Sequence, residues 1–262
     1  MAFYNEFPAY VPVAEKKKRA EKAVEKLKKK NAAIAPVVIT GRTITRTWWG
    51  KAWSENLESY SDYSNRIERG RSYVRHGAVL DLQITQGKIA GLVQGSSSKP
   101  YKVEIAIVPL SKETWQAVVT ECAGKIDSLQ ELISGKFPKG LSELFTVKGK
   151  GLFPSPKEIT LACSCPDSAR MCKHVAAMLY GVGARFDEDS ALFFMLRGVN
   201  VDELISVSLT QKSQAMLEKS KGRGRRVMED ADISDVFGIE IDMGEAEKSK
   251  AAEVKKTRRK SQ

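Results

Sequence analysis

The sequence predicts an α+β chain. An N-terminal antiparallel sheet with packed helices is followed by a smaller ββα-type unit with C-terminal helices, between charged, disordered tails. Three observations carry this reading. Apolar and polar residues alternate through runs between 79 and 110, the period of half-buried strands. Apolar residues recur every three or four positions around 48–57 and 115–126, the period of a helix face. Both ends are instead rich in charge and poor in apolar residues, too polar to join a core. Hydrophobic residues make up 42% of the 262, enough for one large domain or two small ones.

Residues 1–35 form a lysine-rich arm, helical or disordered, with nine Lys/Arg and four Asp/Glu in 1–31. Ala20, Ala23, Val24 and Leu27 give its helical part a narrow apolar stripe. An α+β domain is expected over 36–147. PVVITGRTITR (36–46) reads as β-branched strand material with a glycine break. Trp49, Trp53 and Leu57, widened by Trp48 and Ala52, form a helical stripe whose indoles belong in a core. Residues 61–77 are basic and partly irregular. Leu80, Leu82 and Ile84 then alternate with Asp81, Gln83 and Thr85. A turn at 86–88 leads to IAGLVQG, and after the SSS loop Tyr101, Val103, Ile105 and Ile107 repeat the alternation, completing an antiparallel meander. Ser111 caps a helix with Trp115, Val118, Val119, Cys122 and Ile126 on one face. Shorter helices are expected at 127–134 and 138–146. The Gly-, Pro- and Lys-rich segment 148–156 predicts a boundary to a second unit, 148–218. Residues 219–262 carry twelve Lys/Arg and nine Asp/Glu in blocks, as disordered tails do.

Cys163, Cys165, Cys172 and His174 follow the pattern C-x-C-x(6)-C-x-H. Three sulfurs and one imidazole complete the tetrahedron zinc prefers, and four protein ligands leave no open position, so one structural zinc per chain is expected. Cys163 and Cys165 would end a strand, with Pro166 bending the chain, while Cys172 and His174 would open a helix and close the site from the other side. The intervening PDSARM has too little apolar content to hold itself together. Iron–sulfur ligation is the main competitor, for which a C-x-C pair is awkward. A deaminase-type catalytic zinc needs an H-x-E context that the sequence lacks.

CSCPD, then CKH and an Ala-rich apolar helix, resembles the SWIM zinc finger. VAAMLYGVGARFDEDSALFFMLRGVNVDELI, with TWWGKAW, SNRIERGRSYVRHGAVLDLQI and LVQGSSSKPYKVEI ahead of the finger, is similar to bacterial SWIM proteins over roughly 40–205, and so is DISDVFGIEID in the tail. The resemblance implies a zinc-binding, non-enzymatic module that binds DNA or proteins, with a helicase-like ATPase of the chromatin-remodelling type as a partner. The lysine-rich arm before residue 31 has no counterpart in that pattern.

The excess of 43 Lys/Arg over 32 Asp/Glu, a net charge of +11, favours a polyanionic partner. Arg66, Arg69, Arg71 and Arg75 crowd together, Tyr73 lies among them, and Gly70 would let the backbone approach a ligand closely. The alternative is a solvated loop pairing with acidic neighbours. Arg170 and Lys173 flank the metal ligands at a helix start, where phosphate also binds. In the tail, Ile233, Val236, Phe237 and Ile239 form an apolar cluster inside an acidic stretch, suited to docking on a partner; the alternative is that it folds back on its own globular domain. Cys122 reads as a buried thiol. No P-loop, triad or paired-carboxylate motif occurs. Of two histidines one is committed to metal, so an enzyme with its site in 36–147 is the less favoured alternative. No run of 18 apolar residues and no signal-like start are present, so the expected location is the cytoplasm.

Overall fold

Strands β1 (Val79–Thr85), β2 (Lys88–Val93) and β3 (Tyr101–Ile107) pair antiparallel in chain order, and β4 (Ile159–Cys163) adds to the far edge of β3. The computed structural model describes residues 11–222 apart from 62, 124, 126–128, 137 and 138. The expected meander is present. Val103, Ile105 and Ile107 are buried and alternate with exposed Lys102, Glu104 and Ala106, as one covered face requires.

Nine α-helices occur among the described residues. They are α1 (Val13–Lys28), α2 (Trp48–Glu58), α3 (Ser64–Arg75), α4 (Lys112–Cys122), α5 (Leu129–Ile133), α6 (Lys139–Thr146), α7 (Lys173–Glu188), α8 (Ala191–Arg197) and α9 (Val201–Gly222). Helix α7 packs on α2, α3 and all four strands, which is why it is apolar nearly all round. The tryptophans are core residues: Trp49 and Trp53 are fully buried. Their indole N–H groups donate to Leu132 O and Leu179 O at 2.9 Å, and Trp53 meets Phe186 edge-on at 5.2 Å. Ser111 caps α4, its hydroxyl accepting from Thr114 N at 3.2 Å. Cys122 is buried as expected, and burial pushes its thiol up to about 12. Ile126 lies outside the described residues.

Three expectations need correction. Residues 36–46 form no strand; only their start runs beside β1, and Thr45 and Arg46 already lie at α2 and α7. Val37 N donates to Val79 O (3.1 Å) and Leu82 N to Ala35 O (3.0 Å), while Pro36 has no N–H and β1 bulges between Val79 and Asp81. Residues 64–75, read as partly irregular, are regular helix through Gly70. Gly70 does not free the backbone for a ligand; it brings α3 against α7, since a Cβ there would lie 2.5 Å from Ala176 Cβ. Finally, 148–156 does not separate two bodies. Residues on both sides belong to one compact unit, 1–212, because β4 continues the sheet and α7 packs into the helices preceding it.

The DED and LRG residues of 187–198 hold this unit together. Asp187 Oδ1 accepts from Thr47 N (3.1 Å) and Thr47 Oγ1 (2.6 Å) at the start of α2. Arg197, 1% exposed, donates to Glu158 Oε1 (2.7 Å) and Val108 O (2.6 Å). The second unit, 213–262, includes only the end of α9 among the described residues. The tail expected from 219 thus begins within that helix, and Ile233, Val236, Phe237 and Ile239 lie outside the described residues. Among the described residues no helix is long and apolar enough to cross a membrane.

Candidate metal centre

The four expected ligands converge. Cys163 ends β4, Cys165 follows in the bend, Cys172 is the N-cap of α7, and His174 lies in its first turn. Their ligand atoms all lie within 4.8 Å of one another. His174 Nδ1 is 3.9 Å from both Cys163 Sγ and Cys172 Sγ. A tetrahedral zinc with Zn–S near 2.3 Å and Zn–N near 2.0–2.1 Å puts ligand sulfur and nitrogen about 3.6 Å apart, so the observed spacing fits after a shift of a few tenths of an ångström. The nearness of Cys163 favours the thiolate at Cys172 against its burial, and that of Cys172 pushes the Cys163 thiol up. Burial also raises Cys165. A divalent cation removes this unequal sharing by taking all three sulfurs as thiolates.

The sequence reading missed what holds the imidazole. His174 is 1% exposed and lies between Tyr101, centroids 4.5 Å apart, and the edge of Tyr73 at 5.5 Å. Its other ring nitrogen, Nε2, is buried with no hydrogen-bond partner among the described residues. A metal-bound imidazole usually donates that N–H to an acceptor. Here two rings and a glycine fix it instead. A Cβ on Gly95 would come within 2.5 Å of Tyr101 Cε2 and 2.7 Å of His174 Nε2, so only glycine fits. The glycine ending LVQG was a visible signal, but the imidazole it meets sits far along the chain.

The six expected nucleic-acid contacts from arginine and lysine do not act alike. Arg66 Nε pairs with Asp167 Oδ2 at 3.0 Å and Nη2 donates to Oδ1 at 3.3 Å, tying α3 to the loop between the ligand pairs. Arg71 donates to Tyr180 Oη at 2.8 Å and pairs with Glu58, which Tyr180 also contacts. These two meet the alternative expectation of arginines paired with acidic neighbours. Arg69 and Arg75 are exposed, with no ion-pair partner among the described residues. Arg170 is exposed and its Nη2 donates to Pro156 O at 3.3 Å. Lys173 is half-buried; burial lowers its pKa, Arg69 adds to the effect, and Asp167 opposes it. Of the exposed cations, Arg69 is the one close enough to act on Lys173, while Arg75 lies beside α1 and residues 36–39.

No family model matches the chain, and no solved structure does. The chain is 38% identical over 168 residues to the uncharacterized protein Rv2102 of Mycobacterium tuberculosis. That alignment covers 64% of the chain, which spans about three fifths of the relative's length, 60%.

Proposed function

We propose that the chain is a zinc-binding, non-enzymatic interaction module of the SWIM type that binds nucleic acid and works with a helicase-like ATPase. The observation that carries it is the convergence of three thiols and one imidazole within 4.8 Å, a closed set suited to a structural ion. The zinc fastens β4 to the start of α7, and so fixes the loop between them against α3. Arg69 then stands close to Lys173 on a rigid support, with Arg75 and Arg170 also exposed, and phosphates would replace the solvation of these cations. Arg66, Arg71 and Tyr73 support that face from within: two are paired to neighbours and the third covers His174.

The test is binding of a fluorescent oligonucleotide as a function of salt. Each phosphate contact adds about 0.9 to the slope of log affinity against log salt on duplex DNA. No binding at about 50 mM salt would make the basic face ordinary solvation and leave a protein as the ligand. The tail cluster at 233–239 is the proposed contact with the ATPase. Deleting 229–245 should leave metal content and melting temperature unchanged and abolish co-purification of that partner.

A further inference from the structure

A cavity of about 310 Å³ opens between α1, α3 and the turn after β2; none of the four metal-ligand residues lines it, although Tyr73 and Gly95, which enclose His174, do. Lys16 and Arg19 reach it from α1, Arg69 and Tyr73 from α3, and Gly95 and Ser96 from the turn. Among the described residues no carboxylate lines it. Arg19 pairs with Glu15 along α1, but Glu15 is not part of the wall. Arg69 has no ion-pair partner among the described residues. The wall is also pre-built: Gln94 N donates to Ala78 O at 2.7 Å, and Gln94 Nε2 to Ser97 O at 2.7 Å. His76, on the same wall, independently reports the local field. Burial disfavours its proton, and Lys16, Lys17 and Arg75 disfavour it further.

A concave site with three cations and, among the described residues, no acid, with an aromatic side and small apolar residues on the remaining side, selects a compact anion carrying an organic group. The volume is at the lower end of small-molecule sites, about 300–1,000 Å³, which suits a single nucleotide and not a length of strand. We propose that this cavity holds a phosphate monoester of nucleotide size, its phosphate among Lys16, Arg19 and Arg69 and its organic part against Tyr73. A free nucleoside monophosphate and the 5′-phosphorylated end of a strand share this chemistry. The site goes beyond the basic face described above, because it uses α1 and does not require strand binding.

Titration of the full-length protein with AMP and adenosine, at about 50 mM salt, tests it. Charge-assisted hydrogen bonds of about 1.5–3 kcal/mol predict AMP binding at least about tenfold tighter than adenosine. The exposed double change Lys16→Glu with Arg69→Glu should remove that advantage while circular dichroism and metal content stay unchanged; Lys16→Glu alone should weaken AMP in the same direction. Single-stranded oligonucleotides with and without a 5′-phosphate separate the sources. A preference for the phosphorylated end, competed by AMP, assigns the chain end; AMP binding without such a preference assigns the free nucleotide. Absence of AMP binding together with indifference to the end phosphate overturns the proposal. Oligonucleotide binding that persists in that case would leave the strand-binding function standing.

Discussion

Gly70 on α3 meets Ala176 on α7 so closely that a Cβ at position 70 would lie 2.5 Å from the alanine Cβ and 3.0 Å from its carbonyl carbon. Both contacts are rigid, one a methyl on a buried helix and the other backbone. The glycine therefore sets the distance between the helix carrying the arginines and the helix that opens with Cys172 and His174.

Gly70→Ala tests that spacing, and its sign is informative. In an unconstrained helix interior the change would stabilise by roughly 0.5–1 kcal/mol. Forcing an extra carbon into a packed contact costs about 1–3 kcal/mol. A melting temperature lower by several degrees is the expected outcome; an increase would show that the helices simply move apart.

Metal removal should be felt well beyond the loop between β4 and α7. Structural zinc contributes apparent binding of roughly 10–16 kcal/mol in small fingers. Because β4 is paired to β3 and α7 is the hub of the helices, Cys172→Ser or a strong chelator should lower the melting of the whole 1–212 unit in one transition. Elemental analysis should find one zinc per chain. Iron, or metal well below one equivalent, would rule the assignment out.

The arginines should separate into two groups. Arg66→Gln and Arg71→Gln break ion pairs with Asp167 and Glu58, at a cost of up to about 1 kcal/mol each, and should leave the salt slope of oligonucleotide binding unchanged. Arg69→Ala, Arg75→Ala and Arg170→Ala should flatten that slope without altering melting. The opposite pattern would mean that the paired residues face the nucleic acid.

Glu158 sets an acid limit. Burial alone would raise its carboxyl, but hydrogen bonds from Ser155 and Arg197 outweigh that and hold it below its ordinary 4.5. A carboxyl lowered on folding adds stability that is present above the unfolded value and lost as pH falls through the folded one. Melting temperature should therefore drop between about pH 5 and pH 3, and less steeply in Glu158→Gln. Arg197→Ala, which strands the carboxylate beside a cavity, should cost about 3–5 kcal/mol near neutral pH. Equal pH slopes for Glu158→Gln and the parent protein would remove this pair as the cause.

The sequence by itself determined whatever depends on local period or on ligand chemistry. Alternation at 80–84 and 101–107 set the strands, the Trp49, Trp53 and Leu57 stripe set a core helix, and the Cys and His spacing set the four-ligand cluster. These are short-range facts, since backbone period and donor type act within a few residues. Only the tertiary structure decided which arginines are engaged, because Asp167 and Glu58 stand far from Arg66 and Arg71 in sequence. It likewise decided that Gly70 serves helix packing and that Tyr73, Tyr101 and Gly95 enclose His174. It also joined the segments on either side of 148–156, since a Gly- and Pro-rich stretch reports a break in local structure and not whether the next strand returns to the same sheet.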